Sequence, residues 1–207
     1  LLVMLLLIVA GIPLRTLVAP GIATCCAIGA YIAANPYAMR RVVAFLDPWK
    51  DPQGAGFQLV QSFVAFNQGG FFGVGLGNGR QKLFYLPEAH TDFILSLVAE
   101  ELGLVGVLVV LGSFAALLIS GTRIARRANS RFALLMAFET TCLLAVPAIV
   151  NAAVVMGLMP TKGLTLPFLS YGGTSLVICC TLLGALLGIS RQRGPEVTAS
   201  NRKRGRR

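Results

Sequence analysis

Charge is what this sequence has least of. Only 13% of its 207 residues are Asp, Glu, Lys or Arg, whereas 56% are apolar. Apolar runs of about 20 residues recur along the chain between basic stretches. A soluble domain of this length buries one core and has no need of such runs, so the composition argues against a water-soluble fold and for a bilayer as the solvent. Histidine occurs once, at His90. The five cysteines, Cys25, Cys26, Cys142, Cys179 and Cys180, are odd in number, sit in apolar segments and stand at no metal-ligand spacing from that histidine. They are read as packing residues. A basic leader is missing too: Leu1 to Gly11 is apolar and lacks an initiator Met, which reads as a truncated membrane helix rather than a signal peptide.

Basic residues are nevertheless in excess, with a formal net charge of +10. In a soluble protein that would point to nucleic acid. Here the basic residues cluster at the ends of apolar runs, so membrane orientation explains them and no nucleic-acid partner is expected.

The expected architecture is all-α, a polytopic transmembrane bundle in residues 1–190. Its spans fall at about 1–11 (partial), 16–34, 93–122, 132–159 and 174–190. Residues 35–92 form a long loop, and 191–207 a basic tail expected to be disordered. Arg15, Arg123, Arg126, Arg127, Arg131 and the tail fall on one side of this alternation. The positive-inside rule makes that side cytoplasmic, the C-terminus included, and puts the 35–92 and 160–173 loops outside.

The long loop holds the only Trp, the only His and many glycines, and function is expected there. Apolar residues at 57, 60, 63 and 64 follow a helical period, with Gln58, Gln61 and Ser62 on the opposite face. Such a helix lies in the interface or packs over the bundle. Six glycines between Gly69 and Gly79 suggest either close approach to a phosphate or simple flexibility. A nucleotide loop is excluded because no strand precedes the glycines and no Gly-Lys-Ser/Thr follows. Asp51, in Asp51-Pro52-Gln53-Gly54-Ala55-Gly56, sits in a turn able to present a carboxylate to a cleft, although Asp47-Pro48 has the same turn-forming character. Lys162, Arg80 and Lys82 are cations suited to an anionic group at the membrane surface, with lipid headgroup contact as the plainer reading. Glu139 lies inside a span, where a carboxylate is costly unless paired or turned inward.

DPQGAGFQLVQS at 51–62, LPEAHTDF at 86–93, EELG at 100–103 and PTKGLTLPFLSYGG at 160–173 together resemble the SEDS family of peptidoglycan glycosyltransferases. TKGLTLPF at 161–168 is similar to the division-type FtsW branch rather than the RodA branch. The resemblance implies polymerisation of lipid II into glycan strands on the outer face of the bacterial inner membrane during septal wall synthesis. It implies Asp51 as the catalytic carboxylate. It matches Lys162 to the Lys of the family's last outer loop, and Arg80, Lys82, Gln58, Ser62, Glu88, His90, Asp92, Glu101, Ser170 and Tyr171 are the further candidates for substrate binding. A class B penicillin-binding transpeptidase and other division proteins are the implied partners. Charge on the leaving pyrophosphate leaves room for a divalent cation, Mg²⁺ or Mn²⁺, although no dedicated cage is visible. Family members commonly have Gln where this chain has Pro147, and part of the family's cavity belongs to helices preceding Leu1, so this chain alone is expected to be inactive. A lipid II flippase and a division scaffold are the competing readings.

Overall fold

The computed structural model describes residues 2–81, 90–161 and 163–191, and among these the regular structure is entirely helical. Helix α1 spans Leu2–Val9, α2 Leu14–Ala34, α3 Pro36–Leu46, α4 Phe57–Gly69, α5 Ile94–Arg126, α6 Arg131–Val155 and α7 Gly173–Arg191. Four of them, α2, α5, α6 and α7, are long and apolar enough to cross a membrane. The chain is a multi-pass membrane protein. Gly103 interrupts α5, and the unbroken stretch after it, 104–126, reaches about 35 Å at 1.5 Å per residue, enough to cross a hydrocarbon core.

In lipid, helices do not associate by expelling water from apolar side chains, so close packing through small residues has to hold the bundle. The main seam joins α5 to α6. On α6 the buried face carries Ala133, Ala137, Ala145, Ala148 and Ala152. On α5 a Cβ at Gly121 would collide with the Thr141 hydroxyl of α6, so the two backbones are in near contact at that level. One buried cluster joins Phe93, Leu95, Leu97, Val107 and Phe114 to Ala148, Val154 and Val155 and to Leu166 beyond α6. A second, at the arginine-rich end, joins Ala125, Ala133 and Ala137 to Leu186 and Ile189 of α7. Among the cysteines, Cys142 and Cys179 are buried, while Cys25, Cys26 and Cys180 lie on exposed faces of α2 and α7, so the packing reading holds for only two of the five.

The described part of the 35–92 region is not an open loop. Asn35 caps α3, its side chain accepting from the Tyr37 N–H, Pro36 occupies the first turn, and Asp47-Pro48 ends the helix. Helix α4 does form, but its buried residues are Leu59, Val60, Ser62, Ala65 and Gly69, so Val60 alone of the expected apolar face is among them. The reason is steric. Gly69 packs against the Ala99 carbonyl and Ser62 against Ser96, a separation from α5 that only small side chains allow. Ser62 therefore does not face a ligand: it is 0% exposed, and its hydroxyl bonds the Ser96 hydroxyl (2.9 Å) and the Val155 carbonyl (2.8 Å).

Helix α5 is broken near its start. Gly103 takes φ 68° and ψ −164°, and the glycine-rich segment docks on the break, with Val74 N–H donating to Glu100 O, Gly75 to Glu101 O, Leu104 to Gly70 O and Val105 to Phe71 O. A Cβ on Gly103 would collide with the backbone of Gly73, and one on Gly73 with the Glu101 carbonyl. These glycines are required for close approach of one backbone to another, and the segment they form is anchored rather than flexible.

Candidate active site

The end of the bundle away from the Arg123–Arg131 turn gathers most of the sequence-selected residues, in two groups joined by the segment that follows α6. The first group forms around residues 90–92, just before α5. Asn151, 2% exposed inside α6, uses both hydrogens of its amide there, bonding the Asp92 carbonyl at 2.7 Å and the Leu164 carbonyl at 2.6 Å. Ser170 adds a second tie, donating to the Thr91 carbonyl at 2.5 Å and accepting from the Leu166 N–H at 2.7 Å. The Tyr171 N–H donates to the His90 carbonyl at 2.9 Å, a third tie. Residues 90–92 and 164–171 are thus a single cross-braced unit. A Cβ on Gly163 would lie 2.9 Å from Asp92 Oδ2, so the Asp92 carboxylate rests against the main chain next to position 162.

His90 and Tyr171 are exposed beside this unit. They share an open cavity of about 370 Å³ with Ile94 and Leu169, and His90 also joins Glu101, Leu76 and Leu97 around one of about 320 Å³. Arg80 is exposed, while its N–H is held at 2.7 Å by Glu100 Oε1. Glu100, only 1% exposed, also accepts from the Gln81 N–H (3.2 Å to Oε2), so it fixes the end of the glycine-rich segment. Lys82, Glu88 and Lys162 lie outside the described residues.

The second group surrounds Asp51. Its carbonyl accepts from Gly54 and Gly56, its Oδ2 accepts from the Ala55 N–H at 3.0 Å, and a Cβ on Gly54 would strike its carboxylate. The Asp51 side chain is folded back over its own turn, the geometry of a turn-forming Asp. Gln58 lies close by, lining a cavity with Arg40, Arg41 and Thr161.

Sequence reasoning chose Glu101 and passed over Glu100, and it did not single out Asn151. An Asn inside an apolar span was a usable signal, because a buried amide in a bilayer needs partners. Glu139 buries one carboxyl oxygen, and Asn151 its amide oxygen, with no hydrogen-bond partner among the described residues. As for metals, no three His, Cys, Asp or Glu side chains converge among the described residues.

Residues 1–194 match the family model of the FtsW, RodA and SpoVE cell cycle proteins. The chain belongs to this family. It is 50% identical over 190 residues to a probable peptidoglycan glycosyltransferase FtsW of Geobacter sp. strain M18, covering 91% of this chain and 52% of that one. A protein of the same description from Legionella pneumophila is 47% identical over 193 residues, covering 92% and 49%. A solved chain described under "Structural coordination of polymerization and crosslinking by a peptidoglycan synthase complex" aligns with a TM-score of 0.73 at 31% identity, covering 93% of this chain and 53% of its own. The family chain described here spans about half the length of the curated relatives it matches.

Proposed function

We propose that the protein to which this chain contributes is a peptidoglycan glycosyltransferase that polymerises lipid II during septal wall synthesis. The observation that carries the site assignment is the braced unit of residues 90–92 and 164–171, which holds one carboxylate, that of Asp92, against Gly163. The chemistry asks for such a group. The acceptor sugar hydroxyl gives up its proton as its oxygen attacks the donor's anomeric carbon, and the bond from that carbon to the lipid pyrophosphate breaks with its electron pair. A fixed carboxylate takes the proton, and cations offset the charge on the leaving group. Asp92 is the base in this reading and Lys162, the sequence neighbour of Gly163, the first candidate cation, with Arg80 and Lys82 as further candidates. This departs from the sequence-based choice of Asp51, whose carboxylate is committed to its own turn. Glu101, His90 and Tyr171 line the adjoining cavities as substrate contacts.

The reading also includes a cytoplasmic C-terminus, an outward 35–92 region, a septal location and a class B transpeptidase as partner. The arginines at the end of α5, in the turn to α6 and at the end of α7 support the orientation. In a Cys-free background, Gln53→Cys should react with an impermeant thiol reagent added outside spheroplasts and Ser200→Cys should not; labelling of Ser200→Cys would reverse the orientation. The enzymatic reading is tested with the purified full-length protein and lipid II. Glycan polymer is the expected product, whereas transfer of lipid II between leaflets without polymer would favour the flippase.

A further inference from the structure

The cavity beside the Asp51 turn has a composition that the glycosyl-transfer chemistry above does not use. It holds about 400 Å³ and is lined by Tyr37, Arg40 and Arg41 of α3, Gln53 to Ala55 of the turn, Phe57 and Gln58 of α4, and Thr161. Its two guanidinium groups differ in state. Arg41 is fixed, its Nη1 donating to the Thr161 carbonyl at 3.1 Å and its Nη2 to the Tyr37 hydroxyl at 2.6 Å, with the Tyr37 ring 4.9 Å from its Cζ. Arg40 is exposed and makes no hydrogen bond or ion pair among the described residues.

Two adjacent arginines repel each other unless something negative lies between or beside them. The nearby carboxylates lie outside this cavity. Asp47 is paired with Lys50 at 3.5 Å, and Asp51 Oδ2 is bonded to the Ala55 N–H; both line the neighbouring cavity with Arg40 rather than this one. Around this cavity the charged side chains are both positive, and the neutral ones include Gln53 and Gln58, whose amides donate hydrogen bonds. A planar fork of donors is matched by tetrahedral oxyanions, which accept two N–H bonds from one guanidinium.

We propose that this cavity binds a phosphate group, with Arg40 as its direct contact and Arg41 as the residue that couples the bound phosphate to the segment after α6. That group is carried by a lipid headgroup or arrives as free phosphate. Because Arg41 also holds the Thr161 carbonyl, occupancy here stiffens the chain immediately before Lys162 and Gly163, where Asp92 rests. The site relies on the outward placement proposed above only for which leaflet supplies the lipid.

The test uses the full-length protein in phosphatidylcholine nanodiscs containing a minor fraction of phosphatidylglycerol, with retained lipid counted by native mass spectrometry. The parent should keep phosphatidylglycerol selectively. Arg40→Gln should lower that retention at least threefold, Arg40→Lys should fall between because it keeps the charge and loses the fork, and Arg126→Gln at the other end of α5 should match the parent. Millimolar inorganic phosphate that displaces the lipid would identify the phosphate group as sufficient, whereas a lipid that resists displacement would identify the headgroup with its chains as the ligand. Equal retention by the parent and Arg40→Gln, with equal melting temperatures and no response to inorganic phosphate, would overturn the proposal. Polymerisation of lipid II is measured on the same samples. Selective binding in a protein that makes no polymer would contradict the enzymatic reading and leave this site standing, and polymer without selective binding would do the reverse.

Discussion

Asp51 and Asp92 sit in two segments that look equally promising as text and differ in what the fold asks of them. Asp51 lies in a Pro-Gly turn whose amides its own carboxylate and carbonyl satisfy, so the side chain is a component of the turn. Asp92 lies in a stretch braced from outside: Asn151 holds its carbonyl, Ser170 and Tyr171 hold its two predecessors, and its carboxylate lies against the Gly163 main chain. A carboxylate that stabilises its own loop is poorly placed to take a proton from a substrate. One whose backbone is fixed by other elements is positioned by contacts from outside its own turn.

The largest expected effect comes from breaking the second segment at its chemistry. Asp92→Asn in the full-length protein keeps the shape and removes the base, so the initial rate of lipid II polymerisation should fall about 10²–10⁴-fold while expression and melting temperature stay near the parent's. Removing the brace should come next. Asn151→Leu fills similar space and strips the hydrogen bonds from the Asp92 and Leu164 carbonyls, each costing about 1–3 kcal/mol when left buried and unpaired. A lower melting temperature together with a lower polymerisation rate is the expected signature, and an unchanged melting temperature would show that the brace carries no load. The smallest effect belongs to Asp51→Asn. Asn forms the same side-chain turn, so the rate should change by about tenfold or less.

The membrane spans were legible in the sequence because long, charge-poor helical runs have few other solutions, and the described helices α2, α5, α6 and α7 lie where such runs occur. Helix α3 was not, since its mixed composition on a short segment resembles a loop until the Asn35-Pro36 start and the Asp47-Pro48 stop are read together. The face of α4 was legible only at Val60, because apolar counting rewards Phe and Val, whereas a tight seam also selects Ser62, Ala65 and Gly69. Glu100 and Glu101 cannot be told apart as neighbours in a string. The break at Gly103 and the docking of residues 70–75 turn one carboxylate inward to hold the Arg80 and Gln81 N–H groups. The motifs identified the family, but how their carboxylates are positioned depends on hydrogen bonds between segments some 60 to 80 residues apart, such as Asn151 to Asp92 and Ser170 to Thr91.

The ratio of initial lipid II polymerisation rates for Asp51→Asn and Asp92→Asn, measured side by side in the full-length protein, is the most direct test of where the chemistry resides. A ratio of about ten or more in favour of Asp51→Asn is the expected result. Near-parental polymerisation by Asp92→Asn, with loss of polymer in Asp51→Asn, would contradict the account and return the catalytic role to the turn.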